Sequence, residues 1–273
     1  MAGLRIAFVQ YNYSKGISGS KFVGLKNFEF LFKTKDAWTI TRNTLCYNAV
    51  FIFLGIVLAV FVAVLLNEIT GKRKKKVYQT VILVPYLISM VIVSYLAYAF
   101  LSSETGFINN GILSPLGLEE VSWYSMPSVW PVILTIVNLW KNFGYTSIIY
   151  YATLTGIDPN YYEAAALDGA SRWQQIRHIT LPALTPTIIT LTLMNIGRIF
   201  YSDFGLFYQV PMNSGVLLDV TNTIDTYVYR GLFSTNNISM AAAAGFYQSV
   251  VGFVLVLAAN YIVKKISKEN ALF

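Results

Sequence analysis

Five long apolar blocks, at residues 45–66, 81–100, 129–154, 186–207 and 241–263, constrain this chain more than any other feature. A helix of about 20 apolar residues, rising ~1.5 Å per residue, crosses a ~30 Å hydrocarbon core. Lipid offers no partner to a backbone amide, so each block has to satisfy its own hydrogen bonds as a helix. The composition agrees: 55% of residues are hydrophobic and 12% charged, where a soluble domain carries about 25% charged residues. The expected fold is an all-α integral membrane protein. It has five full transmembrane helices plus a truncated first one, with Pro85 expected to kink the second block.

Charge sets the direction of the spans. The loop after the first block carries Lys72, Arg73, Lys74, Lys75 and Lys76, and basic residues mark the cytoplasmic side. Residues 101–128 lack Lys and Arg and are expected outside. Residues 155–185, with Arg172 and Arg177, are expected inside, and residues 208–240, with Arg230 against Asp219 and Asp225, outside. The tail with Lys264, Lys265 and Lys268 returns inside. One segment breaks the alternation: residues 11–42 carry six basic residues, Lys15, Lys21, Lys26, Lys33, Lys35 and Arg42, yet parity places them outside. The opening MAGLRIAFVQ reads as the last half of an apolar span, so residues 1–10 are expected to be its remnant. The rival reading is a five-span protein with a translocated basic arm.

Several function classes drop out. The net charge of +7 is concentrated in the 72–76 run, and no aromatic-interleaved basic groove accompanies it, so nucleic acid is not an expected partner. The chain has one histidine, His178, and one cysteine, Cys46, which leaves little for a metal site and no internal disulfide. A Gly-x-x-x-x-Gly-Lys-Ser/Thr phosphate loop is missing, so ATP is not expected to bind that way.

The polar stretch 155–185 stands out among apolar neighbours. Asp158-Pro159 is a helix-start signal. Tyr161, Tyr162, Glu163, Ala164, Ala165 and Ala166 favour helix, and Gly169 suits the turn that ends it. Ser171 is placed to cap a second short helix through about Arg177, with Pro182 expected to stop it. The segment thus predicts a helix–turn–helix at the membrane surface, either docking a partner or lying there as an interfacial loop.

The spacing Glu-Ala-Ala-x-x-x-Gly-x(9)-Ile-x-Leu-Pro, met without a gap at 163–182, resembles the signature loop of the membrane subunits of binding-protein-dependent ABC importers. Residues 140–186 resemble the carbohydrate branch, the maltose-type permeases. VGLKNFEFLF at 23–32 is similar to their segment after the first span, and the tail from YQSVVGFVLVLAANYIVKKI also fits. The resemblance extends to complex-sugar and polysaccharide permeases and covers nearly the whole chain. It implies a multi-pass subunit of the bacterial plasma membrane, a single transmembrane domain over 1–273 that forms half of a sugar pore. The other half would be a second permease subunit, usually a different chain. Two ATPase subunits would use ATP-Mg, this chain binding no cofactor, and an extracytoplasmic binding protein would deliver the sugar. The coupling loop would map onto Glu163, Ala164, Ala165, Gly169, Ile179, Leu181 and Pro182.

Within the blocks, Arg198 and Lys141 are intramembrane charges, which mark a pathway or a structural pair. Arg198 is expected near the middle of the fourth block, within reach of a sugar hydroxyl or uronate carboxylate. Lys141 sits beside Trp140 and Asn142. Tyr201, Phe204 and Phe207 are candidate sugar-facing rings or ordinary interfacial aromatics. Ala241, Gly245 and Ser249 form a small-residue stripe suited to close helix packing. Two other classes compete. A secondary carrier would need buried carboxylates, and Asp203 is the one carboxylate in the blocks. A membrane enzyme would need a His pair, metal cluster or carboxylate pair, which the blocks lack.

Overall fold

The computed structural model describes residues 2–266 and 268–271, so Met1 of the expected remnant lies outside the described residues. The chain divides into two compact units. One comprises residues 1–49, 89–135 and 197–255, the other 50–88, 136–196 and 256–273. The longest helices run from one unit into the other, which is why each unit is assembled from separate segments.

The helices that matter here are α1 (Lys35–Glu68), α2 (Lys72–Leu87), α3 (Met90–Leu101), α4 (Trp130–Thr155), α5 (Pro159–Leu167), α6 (Arg172–Gly197), α7 (Ile224–Thr235) and α8 (Ile238–Ile266). By length and composition α1, α6 and α8 can cross a membrane, with a fourth crossing if α2 and α3 are one broken span. On α1, Phe53, Val57, Phe61 and Leu65 recur every four residues and are all exposed, while Ala59 and Ala63 are buried. An apolar stripe left open on one face suits lipid or a partner, not water.

Each unit has its own core. In the second unit Ala59 and Ala63 of α1, Tyr150 and Leu154 of α4, and Leu184 of α6 pack together. In the first, Ile40, Phe200, Ile224 and Ala244 form one cluster, and Ala7, Phe28, Leu31 and Ala243 another. A helical turn at Ala2–Ile6 leads into Val9–Gln10, which pairs antiparallel with Lys21–Phe22. The expected remnant of residues 1–10 is therefore helical only at its start.

The second and fourth blocks differ from expectation. Residues 81–100 are not one kinked helix but two. α2 ends at Leu87, two residues after Pro85 withdraws an amide donor from the ladder, and Ser89 restarts the chain by accepting from the Ile92 amide. The 186–207 block is broken: α6 ends at Gly197, and a π-helical segment, Gly205–Gln209, begins only after an irregular stretch. The irregular backbone after Gly197 is satisfied by side chains: Asn48 Nδ2 donates to the carbonyls of Ile199 and Tyr201, and Gln248 Nε2 to that of Phe200, all at 2.7–2.9 Å. Asp225 Oδ2 accepts from the Ser202 amide and hydroxyl. With its carbonyls met in this way, the chain can leave the helix without burying orphan polar groups.

Two smaller expectations also shift. Pro182 does not stop the second loop helix, because a wider π-helical turn at Ile176–Thr180 absorbs its missing amide and α6 continues through it. The Ala241–Gly245–Ser249 stripe makes no close approach at Gly245, where an added Cβ would meet nothing within 4 Å. Close packing occurs instead at Gly252, whose Cβ would lie 2.4 Å from the Gly197 carbonyl oxygen.

Candidate functional site

The 158–182 loop is built from caps. Asp158 accepts from the Asn160 amide and Pro159 occupies the first turn of α5. At the other end Gly169 adopts φ +80°, its amide donates to the Ala166 carbonyl, and the Ala170 amide donates to Ala165 at 2.9 Å. This 6→1 and 5→2 pair is a Schellman closure, which needs the left-handed residue that glycine supplies. Ser171 then opens α6 with a reciprocal capping box to Gln174. The two helices are tied by Tyr162 Oη to Thr180 Oγ1 at 3.0 Å, with Gln175 Nε2 at 3.5 Å from the Tyr162 carbonyl. A loop stapled at both ends and across its middle presents a fixed shape.

Glu163, Ala164, Gly169 and Pro182 are exposed, and Ala165, Ile179 and Leu181 half-buried. Sequence reasoning missed three neighbours, Tyr161, Leu167 and Trp173, which are 65%, 89% and 67% exposed. Their signal was present as large apolar side chains in an otherwise polar loop. Covering them with a partner gives a favourable apolar burial that this chain alone leaves unused.

The path candidates fall into different surroundings. Lys141 is occupied: its ammonium donates to the carbonyls of Pro85, Tyr86 and Ile88 at 3.3, 3.1 and 2.5 Å. α2 ends there, with the Pro85 carbonyl also accepting from the Ile88 amide at 3.3 Å, so Lys141 adds the charged donor that closes the helix end. Its aromatic neighbour Tyr86 stacks on Tyr145 of α4 at 4.5 Å. Replacing Lys141 with Met should expose those carbonyls and lower thermal stability by about 2 kcal/mol. Melting of the purified variant measures it, and an unchanged midpoint would remove the capping role.

Trp140, beside Lys141, is 39% exposed. Arg198 is exposed beyond the end of α6, not mid-helix, and Tyr201 lies in the irregular segment with its hydroxyl 2.7 Å from Ser249 Oγ. Trp140 and Lys141 belong to one unit, Arg198 and Tyr201 to the other. Phe204 and Phe207 lie beyond α6, at the start of and within the π-helical segment Gly205–Gln209. Phe204 stacks with Tyr208 at 4.8 Å and meets Tyr229 at 4.4 Å, while Phe207 is buried against Tyr47. Asp203 is exposed and accepts from the Leu206 amide, a capping role.

A further charged residue was visible in the sequence only as the lone base of its loop. Arg230 of α7 is half-buried, with Nε on Asn213 Oδ1 at 2.9 Å, Nη1 on Asn222 Oδ1 at 2.6 Å and the guanidinium 5.6 Å from the Tyr208 ring centre. Burial lowers its pKa, and the Tyr208 charge opposes that.

Residues 51–268 match the family described as binding-protein-dependent transport system inner membrane component. Protein LplB of Bacillus subtilis is 35% identical over 99% of this chain and 84% of its own length. The polygalacturonan/rhamnogalacturonan transport system permease protein YteP of the same organism is also 35% identical, over 99% of this chain and 83% of its own. The crystal structure of a bacterial ABC transporter involved in the import of the acidic polysaccharide alginate aligns with a TM-score of 0.86 and 34% identity. That alignment covers 97% of this chain and 88% of the solved one. A loop capped at both ends and a lysine-closed broken helix thus sit in a chain that belongs to the inner membrane permease components of binding-protein-dependent ABC transport systems.

Proposed function

We propose that this chain forms half of the translocation pore of an oligosaccharide importer and draws its drive from a separate ATPase through residues 158–182. The observation that carries the reading is the capped loop with Tyr161, Leu167 and Trp173 uncovered. Five spans, at 45–66, 81–100, 129–154, 186–207 and 241–263, place this loop inside and residues 208–240 outside, with the second span broken at Ile88–Ser89. A second permease subunit completes the pore, two ATPase subunits bind ATP-Mg below it, and an extracytoplasmic binding protein delivers the sugar. Glu163, Ala164, Ala165, Gly169, Ile179, Leu181 and Pro182 shape or line the coupling contact. Arg198, Tyr201 and Trp140 remain proposed path residues, and Lys141 acts on the path through the helix end it closes.

The sugar is the class that the relatives' names support, from polygalacturonan/rhamnogalacturonan to lactose. The carrier alternative fares worse on two residues. Asp203 is spent on a cap, and the helix-end carbonyls that would suit a coupling cation already hold the Lys141 ammonium.

The test is a disulfide. In a Cys46→Ser background, Ala170→Cys is paired with cysteines in the cleft of the host's sugar-transport ATPase. The expected result is a cross-link whose yield changes with ATP. No cross-link in a complex containing both permeases would sink the coupling role and reopen the interfacial-loop reading.

A further inference from the structure

Arg230 forms no ion pair among the described residues. Its Nη2 is buried with no hydrogen-bond partner, its other nitrogens meet neutral amide oxygens, and among the described residues no carboxylate lies within ion-pair distance of it. The nearby carboxylate of Asp225 is committed to Ser202 and Gln248. A desolvated cation of this kind is costly unless an anion joins it.

Arg230 lines a cavity of about 670 Å³ together with Asp36, Thr39, Asp219, Asn222 and Tyr227, a volume in the range of small-ligand sites. Asp36 and Asp219 give the wall hydrogen-bond acceptors for hydroxyl groups, as Thr39 and Asn222 give mixed ones. Beside the guanidinium, but not among the residues that line the cavity, runs a file of rings, Phe204, Tyr208, Tyr229 and Phe233, with successive centroids 4.5–5.1 Å apart. Phe233, at the end of the file, is 71% exposed. The Tyr227 ring in the cavity wall can cover the apolar face of a pyranose, polar side chains take its hydroxyls, and a planar guanidinium takes a carboxylate in a forked pair.

We infer that Arg230 and its cavity form a recognition site for a carboxylate-bearing saccharide, on the segment proposed to face outward. The inference rests on the importer reading and narrows it from sugars in general to acidic ones. The site admits a saccharide before the membrane-embedded path and favours those that bring a carboxylate to the unpaired guanidinium.

The complete importer, in nanodiscs and without its binding protein, is titrated calorimetrically with trigalacturonate and with its methyl ester. The ester keeps the rings and hydroxyls and removes the charge. The wild-type importer should bind the acid about 10–100-fold more tightly than the ester. Arg230→Gln should bring the ratio close to one, and Arg230→Lys, which keeps the charge and loses the fork, should retain part of it. Equal affinities in the wild type, no binding of either compound, or an acid preference that survives Arg230→Gln would each overturn the inference. Weaker docking of the binding protein in Arg230→Gln with the acid preference intact would reassign the residue to a protein contact. If Arg230→Gln does not fold, the Arg230→Lys ratio decides: an undiminished preference overturns the fork. ATP-driven uptake by the wild type in proteoliposomes is read separately. Its absence would refute the importer reading, whereas its presence beside a flat acid-to-ester ratio would refute only the acidic site.

Discussion

Gly144→Ala is expected to be the most damaging single-methyl change in this chain. A Cβ at position 144 would lie 1.8 Å from the Ile82 carbonyl oxygen and 2.6 Å from its carbon. Both atoms are backbone, so no side chain can rotate away and α4 must lift off α2. Lys141 sits three residues earlier on α4, and its contacts with the end of α2 would lengthen as the helices part. Overpacking costs about 1–3 kcal/mol, and a backbone-to-backbone clash belongs at the upper end. The expected drop in melting midpoint is roughly 6–12 °C, or failure to accumulate in the membrane. Gly245→Ala is the control, since its Cβ meets nothing within 4 Å and alanine favours a helix interior by about 1 kcal/mol. Equal midpoints for the two variants would show that α2 and α4 do not approach as closely as described.

The second large effect is expected from Leu167→Asp, and it should appear in function alone. Leu167 is 89% exposed, so the chain loses almost no burial and its own stability should move by less than about 0.5 kcal/mol. If the ATPase buries this side chain, the variant loses about 2–3 kcal/mol of apolar transfer and forces a carboxylate into an apolar contact. ATP-driven uptake and co-purification of the ATPase should then fall about 100-fold, while Leu167→Met stays close to wild type. Undiminished uptake by Leu167→Asp would mean that the tip of α5 lies outside the contact.

The 158–182 loop was legible in detail because its signals are local. Asp158, Pro159, Gly169 and Ser171 act through bonds to amides and carbonyls a few positions away, so residue type and spacing carry the information. Pro182 was misread because its effect depends on the turn before it. A π-helical turn at Ile176–Thr180 has no strong composition signal. Tyr161, Leu167 and Trp173 were overlooked because an apolar residue in a loop becomes informative only once nothing in the chain covers it.

The blocks were legible as apolar mass and not as helices with ends. Hydropathy does not distinguish a helix from the irregular chain at 198–203, since the difference lies in who satisfies the carbonyls. Those partners, Asn48 and Gln248, are about 150 and 48 positions away in sequence, respectively. Lys141 shows the same limit. As sequence it is an intramembrane charge open to either a pathway or a structural reading, and the end of α2 some 53–56 residues earlier decides for the structural one.

The sequence by itself thus determined the membrane character of the chain, its family and the capped 158–182 loop. Apolar mass, charge bias and capping residues act over one helix or one turn. The tertiary structure decided where the spans break, which glycines set the packing and which charges are spent or left unpaired. Each of these is fixed by a backbone atom or a counter-charge from a distant part of the chain, and a linear pattern does not record that proximity.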